Sequence, residues 1–256
     1  MSEITDKAAE TNREAWNSFR RQRDEGLSQH RRDSAEDILK GEGRLGSEYI
    51  ELAGDVSGKR LLDMGCGEAA ETCEWARLGA EVVGVDNSPK QIEAGRRNAE
   101  KLGVECRLIV ADLLRLPDEL LRGEFDIVFS CYVTAWIGDK DKWFRDVHRA
   151  LKPGGVFLLG GGHPLTDFVQ WREEEDFAAE TYLSEGPFTF ESNNVHDFNP
   201  AGEFITSIEW AHTLGTMITS LARNGFRITH LVEMAPAQEG PAKGLPEDFI
   251  MRAVKE

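Results

Sequence analysis

Asp63-Met64-Gly65-Cys66-Gly67-Glu68-Ala69 places a carboxylate and two glycines directly behind an apolar run. Gly65 and Gly67 allow a tight turn and let a ligand approach the backbone closely. Such a turn can equally serve only to join a strand to a helix. Asp86 follows a second apolar run, about 20 residues past Gly65, where a carboxylate can accept hydrogen bonds from both hydroxyls of a ribose. Its bland alternative is a turn residue ahead of Ser88-Pro89. Ala111-Asp112-Leu113 ends a third apolar run. A carboxylate there can accept from the exocyclic amine of adenine while apolar neighbours pack on the ring, although alone it would read as a loop aspartate. Ligand-type residues at three successive run ends together point to a nucleoside site.

Such residues converge only if the runs are neighbouring strands. Arg60–Met64, Glu81–Val85, Glu105–Val110, Phe125–Ser130 and Val156–Leu159 read as strands. Between them, Ala70–Leu78 reads as a helix closed by Gly79. A second begins at Ser88, with Pro89 in its first turn, and ends near Leu102 ahead of Gly103. A third covers Lys140–Leu151, and Lys152-Pro153-Gly154-Gly155 forces a turn after it. Strands alternating with helices predict an α/β domain with a parallel sheet and helices on both faces. Upstream, Ala9–Arg23 could be a helix with Ala15, Trp16 and Phe19 on one side, covering the main domain, and Glu48–Ala53 reads as another. Residues 161–205 break the rhythm and read as an insertion or lid. A helix at Leu214–Asn224 and strands at Arg227–Glu233 and Asp248–Val254 resume it. The expected organisation is an N-terminal helical cap over 1–45 and a main domain over 46–256.

The 256 residues carry a formal charge of −16, which repels phosphate backbones and makes nucleic acid a poor partner. The N-terminus is polar without an apolar signal core, and no apolar run reaches the length of a membrane span, so no signal peptide and no membrane partner are expected. Cys66, Cys73, Cys106 and Cys131 form no C-x-x-C pair. Free thiols in a reducing cytoplasm are the expectation, and no metal is expected.

Leu61-Leu62-Asp63-Met64-Gly65-Cys66-Gly67, Val85-Asp86-Asn87-Ser88, Ala111-Asp112, Phe125-Asp126-Ile127-Val128 and Leu151-Lys152-Pro153-Gly154-Gly155, in that order, resemble the class I S-adenosylmethionine-dependent methyltransferases. The similarity is to their small-molecule, ubiquinone-biosynthesis-like branch and covers roughly Gly46–Leu159. It implies a Rossmann-like seven-stranded, mostly parallel sheet with an antiparallel last strand, and S-adenosyl-L-methionine as cofactor. By the resemblance, Asp63 and Gly65, Cys66 and Gly67 border the methionine part and ribose. Asp86 takes the ribose hydroxyls beside Asn87 and Ser88. Ala111, Asp112 and Leu113 hold adenine, and Ser130 or Cys131 meets the methionine amino end. The third glycine of the fuller family motif is Ala69 here.

Methyl transfer from a sulfonium needs alignment and exclusion of water, with a base only for a protonated nucleophile. On the acceptor side, Tyr132 and His163 are the catalytic candidates, and Trp136, His212 and Trp16 are candidates for substrate contact. His163 could equally be a structural turn histidine, and Tyr132, Thr134 and Trp136 could be packing. Trp210 reads as packing. Trp171, Phe177, Tyr182, Phe188 and Phe190 could line an apolar pocket or form a small core of the insertion, and Arg172–Asp176 reads as a solvated face. The main reading is methyl transfer to a small-molecule O, N or C nucleophile. A nicotinamide oxidoreductase would want glycine at Ala70. A catalytically silent cofactor-binding regulator leaves no contrary signature. An RNA methyltransferase finds a basic stretch in Arg20, Arg21, Arg23, Arg31 and Arg32, which otherwise reads as a solvated helix face.

Overall fold

Successive side chains of a strand point to opposite faces, yet in β1 (Arg60–Met64) Leu61, Leu62 and Met64 are all buried. A strand of this kind must be covered on both sides, the condition met by a parallel sheet between helical layers. The computed structural model describes residues 3–26, 34–171, 181–192 and 204–256. In it β1 is flanked by β2 (Glu81–Asp86) and β4 (Phe125–Cys131), with β3 (Arg107–Val110) beyond β2 and β5 (Leu151–Gly162) beyond β4. These five run parallel. β9 (Pro246–Lys255) pairs antiparallel with both β5 and β8 (Phe226–Pro236), giving the order β3-β2-β1-β4-β5-β9-β8. The fold is the expected seven-stranded, mostly parallel Rossmann-like sheet with an antiparallel last strand.

On one face, α3 (Ser47–Ala53) and α4 (Ala70–Arg77) bring Tyr49 and Trp75 edge-on against Phe129. On the other, α6 (Lys140–Ala150) and α8 (Leu214–Arg223) pack Trp143, Phe144, Met217 and Leu221 around Phe157. α5 (Pro89–Leu102) starts as expected, with Ser88 Oγ accepting from Gln91 N, and stops at left-handed Gly103. β3 begins two residues later than expected, and before it Gly103 and Val104 close α5 by donating to the Glu100 and Ala99 carbonyls. β5 is longer than expected at both ends. Its pairing jumps from Phe125↔Leu151 to Ile127↔Val156, so Lys152-Pro153-Gly154-Gly155 forms a bulge rather than a break. Its far end reaches Gly162, paired with Asp248.

Register brings the ligand-type residues together: Met64 pairs with Val85, Asp63 with Phe129 and Asp86 with Val110. The ends of β1, β2, β3 and β4 therefore share one edge, at the point where strand order reverses around β1, where open α/β sheets hold ligands. Over that edge lies α1 (Glu3–Asp24), longer than expected, followed by α2 (Ser34–Lys40). α7 (Pro164–Trp171) follows β5, and β6 (Phe188–Ser192) and β7 (Ile205–Glu209) form a separate antiparallel hairpin. α1 packs on β7. The Asn12 amide donates to Ile208 O at 2.7 Å and accepts from Ile208 N at 2.8 Å, extending the hairpin's own bonding.

Ser88 caps α5 and also donates to Asn17 Oδ1 on α1 at 2.8 Å. Ser88→Ala is expected to lower the unfolding free energy by about 1 kcal/mol, the usual worth of such a cap. A urea melt with an unchanged midpoint would show the cap to be idle.

Candidate functional site

The turn after β1 is built to stay open. Gly65 N and Cys66 N both donate to Val85 O, at 2.8 and 3.0 Å, tying the turn to β2. Gly65 has φ 89°, and a Cβ there would lie 2.3 Å from Val133 Cγ2, so no other residue fits. Above Gly67 nothing lies within 4 Å of where a Cβ would be. Gly67 N donates to Asp86 Oδ2 at 2.9 Å and Ser88 N to Oδ1 at 2.8 Å. Each carboxylate oxygen of Asp86 thus has one backbone partner and keeps acceptor capacity. Burial pushes this carboxyl up to about 6, against the pull of those two bonds. Asp112 is oriented by Leu114 N, which donates to its Oδ1 at 2.9 Å.

Gly65, Cys66, Gly67, Asp86, Asn87, Asp112, Leu113, Cys131, Tyr132, Trp136 and Trp16 line a single cavity at the sheet's carboxyl edge. α1 forms its roof. Asn87 Nδ2 donates to Ala9 O at 2.7 Å, Asp6 pairs with Arg115, and Trp16 meets Trp136 edge-on with centroids 5.2 Å apart.

The remaining expected site residues lie elsewhere, each for a physical reason. Asp63 is buried beneath the turn, where Thr72 Oγ1 donates to it at 2.6 Å. Desolvation pushes its carboxyl up to about 8. Ser88 is occupied as a cap, and Ser130 Oγ donates to Met64 O at 2.6 Å inside the sheet. Ala111 is not among the cavity residues and donates its N–H to Asp86 O. His163 does not face the cavity. Its Nε2 meets Glu233 at 3.1 Å on β8, and its Nδ1 accepts from Leu165 N. The glycines before it serve close packing: a Cβ at Gly160 would strike Tyr49 Oη, at Gly161 the Tyr132 backbone, and at Gly162 the Asp167 carboxylate. His212 is also buried away from the cavity, its Nε2–H donating to Ile137 O at 2.6 Å. Tyr132 lines the cavity, but its hydroxyl donates to Asp248 Oδ1 at 2.8 Å. Tyr182, Phe188 and Phe190 are not cavity residues, and Phe168 meets Tyr182 within the insertion. Phe177, Arg31, Arg32 and the run 172–176 lie outside the described residues.

The sequence reading passed over the charged end of the cavity. Glu68, immediately after the glycine turn, is buried, with Arg20 Nη1 at 2.6 Å, Arg23 Nη1 at 2.9 Å and Ser34 Oγ at 2.7 Å. Arg20 and Arg23 therefore face inward, not outward as the solvated face or phosphate-binding patch expected of them. Burial lowers the pKa of Arg23. Their spacing of three along a helix, together with Phe19, was the available signal. Arg44, Glu71, Val133, Ile137 and Trp210 also line the cavity. Trp210 packs as expected, against Ala8 and Ile208.

Comparison with known proteins agrees with this geometry. Residues 62–159 match the family described as methyltransferase domain. The chain is 37% identical over 112 residues to a demethylmenaquinone methyltransferase of Thermus thermophilus, covering 43% of this chain and 50% of that protein. It is 38% identical over 102 residues to a ubiquinone biosynthesis O-methyltransferase of Ruegeria pomeroyi, covering 39% and 40%. The chain thus spans half or less of the length of these curated relatives. Among solved structures, an S-adenosylmethionine dependent methyltransferase from Mesorhizobium loti superposes with TM-score 0.63 at 26% identity, over 82% of this chain and 98% of that one. Residues 62–159 are thus similar to a methyltransferase domain, and the fold is shared with an S-adenosylmethionine dependent methyltransferase of known structure. Among the described residues, no helix is long and apolar enough to cross a membrane.

Buried carboxyls govern how stability should vary with pH. Asp63 is raised to about 8, and Asp167 and Glu209 to about 7, in each case chiefly by burial. A raised carboxyl binds its proton in the folded state while the unfolded chain has lost it, so stability falls as pH rises toward the folded value. The ligand-free protein should melt at a higher temperature at pH 6 than at pH 8.5, each group contributing at most about 1.4 kcal/mol per pH unit. Asp63→Asn should flatten that slope, and an unchanged slope would assign it to other groups.

Proposed function

We propose that this chain transfers the methyl group of S-adenosylmethionine to a small-molecule O, N or C nucleophile. The observation that carries the reading is the convergence of Asp86 and Asp112, at the ends of adjacent strands, on one cavity floored by the open backbone of Gly65–Gly67. The donor set fits the cofactor. Asp86, with acceptor capacity left on both oxygens and Asn87 beside it, takes two ribose hydroxyls. Asp112 takes the adenine amine, and Leu113 packs on the ring. Cys131 and the Gly65 turn border the methionine chain.

When bound, the cofactor supplies an activated methyl group on a good leaving group. The protein supplies alignment and a dry site. α1 covers the cavity, and Trp16, Trp136 and Tyr132 form the wall on the acceptor side. Among the described residues no histidine lines the cavity, so we assign catalysis to positioning rather than to a histidine base. Burial and Asp248 raise the pKa of the Tyr132 hydroxyl, which keeps it neutral and makes its ring the surface offered to an acceptor. This aromatic wall, and relatives named for quinone biosynthesis, favour an apolar-ringed acceptor. Helix α1 of the expected cap then acts as the cover of one catalytic domain, braced by the Asn12 bonds to Ile208 on the β6–β7 hairpin. Four free cysteines support a reducing cytoplasm as the compartment.

Calorimetry with S-adenosylmethionine and S-adenosylhomocysteine tests the cofactor assignment, and absence of binding to both would overturn it. Asp86→Ala should weaken S-adenosylhomocysteine binding at least tenfold, since hydrogen bonds to a charged group are worth about 1.5–3 kcal/mol each. Because the hydroxyls must donate to an ionised carboxylate, affinity should fall as pH drops through about 6, the value to which burial raises Asp86. Asp86→Asn should remove that step, and a step surviving in the variant would place the titrating group elsewhere.

A further inference from the structure

Four free thiols are spread through the domain, and two of them meet. Cys73 lies in the first turn of α4 and is fully buried. Cys106 stands one residue ahead of β3 and is half-buried. Their side chains are hydrogen-bonded to each other, within an apolar cluster that includes Ala69, Ile92, Ala99 and Leu108. The two sulfurs are not equivalent. Cys73 keeps its proton and donates it, and the bond it gives lowers the pKa of Cys106 against the opposing effect of burial. The thiolate, the reactive form of cysteine, is therefore favoured on the outer sulfur. That sulfur also has a way out. Cys106 lines a groove at the amino ends of β2 and β3, with Val83, Arg96, Glu100 and Val104, away from the ligand cavity. Cys66, the third thiol of the cluster, is buried, directs its S–H at Gly67 O at 3.9 Å, and is held protonated by that burial.

We propose that Cys106 is a peroxide-reactive thiol, that Cys73 is its resolving partner, and that the bridge between them loosens the nucleoside site. The coupling to that site, though not the bridge, rests on the cofactor reading above. In the first step the Cys106 thiolate attacks one oxygen of a hydroperoxide. An S–O bond forms, the O–O bond breaks, and the departing oxygen takes a proton from water. In the second step the Cys73 sulfur attacks the sulfenic sulfur of Cys106. The S–S bond forms, the S–O bond breaks, and the leaving hydroxide carries off the Cys73 proton as water. Two electrons pass from the pair of sulfurs to the peroxide. The effect on the cavity follows from where α4 is anchored. Cys73 N donates to Ala69 O at 3.0 Å, and its neighbour Thr72 holds Asp63 beneath the glycine turn at 2.6 Å. Covalent closure draws the sulfurs together and moves the first turn of α4 toward β3. The displacement falls on the support of the Gly65–Gly67 backbone that floors the cavity.

The reduced full chain, treated with hydrogen peroxide and mapped by peptide mass spectrometry without reductant, should lose two hydrogens. The linked peptides should carry Cys73 and Cys106, and dithiothreitol should separate them. Calorimetry should then show the oxidised chain binding S-adenosylhomocysteine about fivefold or more weakly than the reduced chain, the scale of a coupling between two sites. Cys73→Ala removes the resolving thiol, so Cys106 should stop at the sulfenic acid and be trapped by dimedone. Cys106→Ser should leave Cys73 unmodified and the affinity indifferent to peroxide. This second variant, at a half-buried position, keeps the test decisive if Cys73→Ala fails to fold. Absence of a bridge in the wild type, or a bridge made through Cys66 or Cys131, overturns the thiol pair. A Cys73–Cys106 bridge that leaves S-adenosylhomocysteine affinity unchanged overturns the coupling. A reduced wild type that binds no S-adenosylhomocysteine overturns the cofactor reading and the coupling with it, while the bridge is judged by mass alone.

Discussion

A carboxylate buried at the mouth of a ligand cavity has to be neutralised, and here that requirement helps decide where α1 and α2 sit. Glu68 stands between the glycine turn and α4, 8% exposed, with Asn98 donating to its backbone carbonyl at 2.9 Å. Its charge is met by Arg20 and Arg23 from α1 and by Ser34 from α2. The buried positions of α1 are Thr5, Ala8, Asn12, Ala15, Phe19, Arg20 and Gln22, few of them large and apolar. Apolar burial on that scale is small beside the entropy of ordering a helix. The ion pairs, the Asn12 clamp on Ile208 and the Asn87–Ala9 bond supply direction that apolar contact does not. Removing one partner of such a buried pair leaves the other charge uncompensated, which is why buried pairs are unforgiving even when their net stabilisation is small.

Beneath this electrostatic roof the floor is rigid for a different reason. The turn after β1 is held by two N–H bonds to Val85 O, and Asp86 is held by two more from Gly67 and Ser88. Both sets come from backbone whose position is fixed by the parallel register of β1, β2 and β3. The carboxylate is therefore oriented before any ligand arrives, and its remaining acceptor capacity is directed by geometry that no side-chain rotation can undo. Preorganisation of this kind lowers the entropy lost on binding. The two halves of the site thus differ in character, the nucleoside end built on strand ends and the charged end assembled from segments remote in sequence.

That difference also explains what could be read from the residues. The strand positions, the Ser88 cap and the Gly103 stop were legible because each is a local consequence of side-chain type and period, and the placement of Asp86 and Asp112 at one cavity was legible because both follow strands of one parallel sheet. The charged end was not, because nothing near Glu68 in sequence says that Arg20, Arg23, Ser34 and Arg44 will arrive there. His163 misled for a related reason. Three glycines before a histidine suggested a ligand close to the backbone, whereas the close neighbours are Tyr49, the Tyr132 backbone and Asp167. Glycine reports that something approaches, not what. Asp63 shows that a motif carboxylate can serve the turn from below, bonded to Thr72 and not among the cavity-lining residues.

His212 shows how a residue can matter to an acceptor it never meets. Its Nε2–H holds the Ile137 carbonyl, and its Nδ1 lies 3.6 Å from Glu185. Glu185 is itself drawn down to about 2, first by His212 and then by Thr216 and Lys140. Ile137 ends the short 3-10 turn Thr134–Trp136, so this chain of contacts fixes the Trp136 side of the cavity from behind. From the front, Trp210 lies so close to Gly138 that a Cβ there would come within 2.7 Å of its ring. Tyr132 begins the same segment with φ 55°, a conformation that costs a bulky residue energy and persists only where its surroundings impose it. Here they do so through the Tyr132 N–H to Gly160 O and the hydroxyl to Asp248. The acceptor-side wall is thus a strained loop pinned at both ends and backed by the His212 bond to Ile137 O. In the proposed methyl transfer, the shape of this wall, more than any one group's reactivity, would set which nucleophile reaches the methyl carbon.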